Sequence, residues 1–160
     1  MSYELRAHTA DIAVAARGES LESTFAAVAD GLAGASCDEI AAGDAAPPTP
    51  DDAAPGASTD RFSLAVTAEN REALLFEYLD ELIYLRDVRL ELPVENRVER
   101  LAEEPETDEG DDLDAWRLEA TARGVPLSDI DAREIKAVTY SEMRLEEVDA
   151  GWEAYVVFDV

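Results

Sequence analysis

The apolar residues change period several times along the chain, and each change marks an element. Residues 2 to 7 read as a short strand and Asp11 to Arg17 as another, with Ile12 and Val14 on one face and small alanines between. His8-Thr9-Ala10-Asp11 is the turn that joins them. Gly18 closes the second strand. Ser20 stands where an N-cap belongs, before Leu21, Phe25, Val28 and Leu32 at helical spacing, and that helix is predicted to end near Gly34. Arg61 to Thr67 sets Phe62, Leu64 and Val66 against polar or small partners, the pattern of a half-buried strand. Asn70 is placed to cap a second helix through about Leu85, with Leu75, Leu79, Leu82 and Ile83 on its buried face and Tyr78 alongside. Val88, Leu90, Leu92 and Val94 then alternate as a strand that Pro93 makes an edge or bends.

Trp116, Leu118, Ala120 and Ala122 alternate with Arg117, Glu119, Thr121 and Arg123 in a strand that Gly124 ends. Pro126 to Arg133 is a connection, Ile135 to Tyr140 a strand, and Asp149 to Gly151 a turn. The last strand sets Trp152, Ala154, Val156, Phe158 and Val160 against Glu153, Tyr155, Val157 and Asp159. The expected fold is α+β: two helices packed on one or two mostly antiparallel sheets of about seven strands, in a single domain over residues 1–160. Two stretches carry neither period. Residues 38–60 are rich in Ala, Pro, Gly and Asp, and Glu103 to Asp114 holds eight acids, so solvated acidic loops are expected at about 38–60 and 104–114.

Charge changes the picture more than composition does. Thirty-eight acids against thirteen bases give a formal charge of -25. Self-repulsion of that size strains a small domain unless salt screens it, and at molar salt the screening length falls to about 3 Å. Twelve of the bases are arginine and one is lysine, a balance resembling the proteomes of extreme halophiles. No arginine run supplies the basic stripe that phosphate contacts need, so direct nucleic-acid binding is not expected. Cys37 has no second cysteine to pair with, which excludes a disulfide framework and fits a small buried residue near a helix end. Without a leader pattern or a long apolar run, a soluble, cytoplasmic protein with no membrane association is expected.

Five residues are candidates for chemistry. Lys136 is the only lysine: either a position that needs a compact, mobile ammonium or a surface residue of no consequence. Asp159 and the carboxylate of Val160 are adjacent oxygen donors at a strand end, suited to Ca²⁺ or Mg²⁺, and Asp11 is the best third acid. A turn cap at Asp11 and a solvated acid at Asp159 are the alternatives. His8, the only histidine, is a base, a ligand or a backbone partner. No nucleophile elbow, phosphate loop or HExxH motif occurs, so an enzyme is not indicated.

With His8-Thr9-Ala10-Asp11-Ile12, then Glu134-Ile135-Lys136-Ala137-Val138-Thr139-Tyr140, then Phe158-Asp159-Val160, in that order, the sequence resembles the archease family from residue 2 to 160. The two acidic loops look like expansions of it. The resemblance implies an activator of the GTP-dependent RNA-splicing ligase, which joins tRNA halves. Such an activator promotes guanylylation of the ligase's catalytic histidine, restores its turnover and broadens its nucleotide use. It also implies a divalent ion, calcium by preference, on Asp11, Asp159 and Val160, and a partner-directed role for Lys136. Asp38, in a Ser-Cys-Asp setting where the family tends to read Met-Thr-Asp, is a further candidate for the acidic patch. A general chaperone or RNA-modification accessory without a metal, and a stand-alone metal-dependent hydrolase, are the competing classes.

Overall fold

Both helices begin at side-chain caps. The Ser20 hydroxyl accepts from the Ser23 amide at 3.1 Å while the Ser20 amide donates to the Ser23 hydroxyl, which pairs two groups that a helix start leaves open. In the computed structural model, which describes residues 2–8, 11–37, 61–104, 115–130 and 135–159, this cap opens α1 (Leu21–Ser36). The Asn70 Oδ1 accepts from the Ala73 amide at 2.7 Å and opens α2 (Arg71–Arg89). Arg86 and Arg89 lie in the last turn of α2, where positive charge suits the helix dipole.

Seven strands are present among the described residues: β1 (Ser2–His8), β2 (Asp11–Gly18), β3 (Arg61–Ala68), β4 (Glu91–Glu104), β5 (Ala115–Pro126), β6 (Ala137–Val148) and β7 (Gly151–Asp159). They form a four-stranded sheet of order β1-β2-β7-β6 and a three-stranded sheet of order β3-β5-β4, antiparallel throughout. β7 therefore lies inside its sheet, between β2 and β6. Each helix touches strands of both sheets. α1 is buried on nearly every side, which its small residues Ala26, Ala27, Ala29, Gly31 and Ala33 allow.

One core joins the layers. Phe25 of α1 stacks on Tyr78 of α2 with ring centres 6.5 Å apart, and Leu74, Leu75, Leu79, Leu118, Val156 and Phe158 pack around them, all fully buried. Each such aliphatic or phenyl side chain removed from water contributes about 1.5–3 kcal/mol. Cys37 is buried just past α1, as expected. Arg71 closes the molecule at the start of β7. Its guanidinium lies 5.7 Å from the ring centre of Trp116 on β5 and 5.0 Å from that of Trp152 on β7, so the two tryptophans of the chain hold one cation between the two sheets.

The expected α+β architecture of two helices and seven antiparallel strands is present, but several boundaries differ. α2 runs to Arg89, not Leu85, so Val88 belongs to the helix and not to the following strand. The cause is Arg86, whose stem fills a buried helical position while its head pairs with Asp87 at 2.9 Å; counted as polar, it hides the helical period. Leu90, also assigned to that strand from sequence, is the helix cap at φ 58. Proline 93 does sit on an edge strand. α1 continues two residues past Gly34, with the Ser36 hydroxyl donating to the Leu32 carbonyl. β5 passes through Gly124 to Pro126, and a short 3-10 turn, Leu127–Asp129, follows.

The largest difference is β6, which starts at Ala137 and runs to Val148 instead of spanning Ile135 to Tyr140. Thr139 pairs with Val157 and Arg144 with Tyr155, so Tyr140 to Met143 stand opposite Val156 alone. Glu142 takes φ 60 within this bulge. Four residues against one destroy the two-residue alternation on which strand recognition depends. The expected acidic loops fall on residues 38–60 and 105–114, outside the described residues, while Glu104 belongs to β4.

Candidate metal centre and the Lys136 strand end

The register of the four-stranded sheet aligns the singled-out residues in one row. His8 at the end of β1 pairs with Asp11 at the start of β2; Asp11 pairs with Asp159 of β7; Asp159 pairs with Ala137 of β6. Lys136 precedes Ala137, and its backbone amide donates to the Asp159 carbonyl at 2.8 Å. The predicted His8–Asp11 turn thus begins and ends on strand residues. The only histidine, the only lysine and two of the three proposed metal-binding positions converge at one end of one sheet, although 148 positions separate Asp11 from Asp159 along the chain.

Cα atoms of directly paired residues on neighbouring antiparallel strands stand about 4.5–5.5 Å apart, within the span that two carboxylates on one cation require. Donor chemistry fits as well, because carboxylates are the hard oxygen ligands that calcium and magnesium take. Asp159 is exposed and makes no ion pair among the described residues. The Lys136 side chain is likewise exposed and unpaired among them, while Ile135 beside it is fully buried and anchors the strand end. Val160 and Asp38 lie outside the described residues, so neither is given a place in this row.

A second polar centre escaped the sequence. Asp30, midway along α1, accepts hydrogen bonds from both the backbone amide and the Nδ2 of Asn96, each at 3.0 Å. Asn96 sits in the first irregularity of β4, between Val94 and Arg97, next to Glu95 at φ 48. Burial pushes the Asp30 carboxyl above the usual range; the two Asn96 hydrogen bonds pull it back, and nearby Glu95 raises it further. Burial, seconded by Asp30, also raises the hydroxyls of Tyr3 and Tyr78. The pair fastens α1 to β4 and lies away from the strand-end row. Its signal was the one acid beyond the first turn of an alanine-rich buried helix, where a partner is obligatory.

A small two-sheet α+β domain whose register brings Asp11, Asp159 and the Lys136 backbone to one sheet end is the class of protein that the fold and this row define. The model of the Archease protein family (MTH1598/TM1083) matches residues 3–160, and the chain belongs to that family. It is 34% identical over 162 residues to the protein archease of Methanosarcina mazei, covering 99% of this chain and 95% of the relative. It is 32% identical over 159 residues to the protein archease of Thermococcus gammatolerans, covering 96% and 94%. Among solved structures, protein 1598 of Methanobacterium thermoautotrophicum superposes with a TM-score of 0.68 at 25% identity, covering 99% of this chain and 98% of that one. A Thermotoga maritima protein described as an archease and possible chaperone shares the fold, with a TM-score of 0.54 at 21% identity and 98% of each chain covered. No helix among the described residues is long and apolar enough to cross a membrane.

Proposed function

We propose that this protein is an activator of a GTP-dependent RNA-splicing ligase, promoting guanylylation of the ligase's catalytic histidine, multiple turnover and use of further nucleotides. The observation that carries the proposal is the His8–Asp11–Asp159–Ala137 row with Lys136 at its end. Asp11, Asp159 and Val160 would hold a divalent ion, calcium by preference, and the ion would supply positive charge beside a partner's phosphates. Lys136 would reach the partner's nucleotide or an acidic group of the ligase. Phosphoryl transfer to histidine is limited mainly by positioning and charge stabilisation, which an accessory protein can supply without chemistry of its own.

Reconstitution with the cognate ligase, GTP and cut tRNA in molar KCl tests the proposal. Acceleration of guanylylation and multiple turnover is expected, and Lys136→Ala should lose most of it. Lanthanide luminescence of the protein alone tests the ion, with Asp159→Asn expected to weaken binding; an unchanged titration would move the site elsewhere. A second reading is a general chaperone, which the description of the Thermotoga maritima protein favours. Suppression of aggregation of unrelated proteins, with no acceleration of the ligase, would select it. Turnover without any ligase would instead make the protein an enzyme.

A further inference from the structure

The outer face of α2 combines two features that seldom coincide on so acidic a surface. Glu77, Asp80 and Tyr84 recur at i, i+3 and i+7 and are all exposed, opposite the buried Leu75, Leu79 and Leu82. Phe76 extends this face toward β6, where it stacks on Tyr140 with ring centres 4.3 Å apart and planes 5° apart. Tyr140 opens the four-residue bulge of β6, the kind of irregularity that re-aims a side chain. One face of its ring is covered by Phe76, yet the residue is 54% exposed. Burial and then the carboxylates of Glu77 and Glu69 raise its hydroxyl, so the aromatic pair sits in a negative field.

Among the described residues, no cation pairs with the carboxylates that make that field. Glu69, Glu77 and Asp80 make no ion pair among the described residues, and all three arginines of α2 are engaged elsewhere. Arg71 lies between tryptophans, Arg86 pairs with Asp87, and Arg89 covers Phe62 and pairs with Glu91. A group that satisfies both features is planar, cationic and able to donate several hydrogen bonds. Guanidinium is such a group: it lies flat on a phenol ring and pairs with carboxylates, whereas an ammonium supplies the charge without the planar stack. Tyr140 is four residues from Lys136, about 13 Å along an extended strand, so this face continues directly from the strand-end row.

We propose that the outer face of α2 and the Tyr140 bulge form a docking surface for an arginine-bearing protein surface, with one guanidinium seated on Tyr140. The proposal deepens the activator reading, on which it rests for the identity of the partner: the ligase would carry those arginines. The face sets affinity, and the strand-end row sets what happens once the partner is held.

Titration of the ligase with Tyr140→Ser and Tyr84→Ser tests this. The concentration for half-maximal activation should rise about tenfold with an unchanged plateau, whereas Lys136→Ala should lower the plateau. Unshifted curves for both tyrosine variants would overturn the docking surface and leave the activator reading intact. A ligase-free arm follows amide shifts of the whole protein in molar KCl on adding hexa-arginine or hexa-lysine peptide. Shifts centred on Glu77, Asp80, Tyr84 and Tyr140 are expected, with arginine binding about threefold tighter and that preference lost in Tyr140→Ser. Equal binding of both peptides, with shifts spread over the acidic surface, would overturn the proposal whatever the ligase does. So would a dimer of this protein that Tyr140→Ser dissolves, because the face would then belong to a second copy.

Discussion

The two ends of β7 are built on opposite principles. At its start, Trp152 meets the other sheet through Arg71 and Trp116, so two sheets and a helix start share one closed junction. At its end, about 23 Å away at the rise of an extended strand, Asp159 faces solvent and makes no ion pair among the described residues. The closed end contributes to stability and the open end is available for binding. On the proposed function, residues that pack the closed end are expendable to a partner, and those at the open end are expendable to the fold.

Substitutions along that strand separate the two roles. Phe158→Ala, one residue from the open end but facing the core, should cost about 3–5 kcal/mol by urea unfolding in molar KCl, since its ring is fully buried. Gly151→Ala should cost about 2 kcal/mol, because φ is 148 there and a Cβ would strike the Gly18 carbonyl. Arg71→Ala should cost about 1 kcal/mol net, the two ring contacts being partly offset by removing a cation from a helix start. Asp159→Asn and Lys136→Ala should stay within about 0.5 kcal/mol of the parent while changing ligand binding or ligase activation. Destabilisation by Asp159→Asn in metal-free buffer as large as that from Arg71→Ala would erase the distinction.

Asp30 refines the comparison, being an acid whose work is internal. Its folded-state carboxyl is raised, so the folded protein holds the proton more tightly than the unfolded chain. The resulting penalty is absent below the unfolded carboxylate range, near pH 4, and grows as pH rises through the folded value. Unfolding free energies of the parent and Asp30→Asn should therefore differ with pH, the parent gaining on the variant as pH falls from about 7 toward about 4. A flat difference would mean that Asn96 compensates the burial completely.

The elements with simple periods were legible from sequence. Ser20 and Asn70 cap their helices, Leu75, Leu79, Leu82 and Ile83 face the core, and the last strand alternates as expected apart from Val157, which is also buried. What failed were positions where one residue serves two periods. Arg86 hides a helical turn behind its charge, and the bulge at Tyr140 to Met143 interrupts a strand that continues beyond it. Rare residue types pointed to the strand-end row, because a single lysine and a single histidine are visible without any structure. Asp30–Asn96 and Phe76–Tyr140 are pairings between distant segments, and nothing in either segment alone announces its partner.

The place of β7 between β2 and β6 also dictates an order of assembly. A hairpin of β1 and β2 can form as soon as it leaves the ribosome, yet its second strand keeps a raw hydrogen-bonding edge until residues 151–159 have been synthesised. β6 waits for the same nine residues. Pairing across the distance from β2 to β7 is slow, so each nascent chain carries an open β2 strand for most of its synthesis. Its heavy negative charge, repelling neighbouring copies on a polysome, is well suited to keeping those strands apart until the late arrival fills the gap.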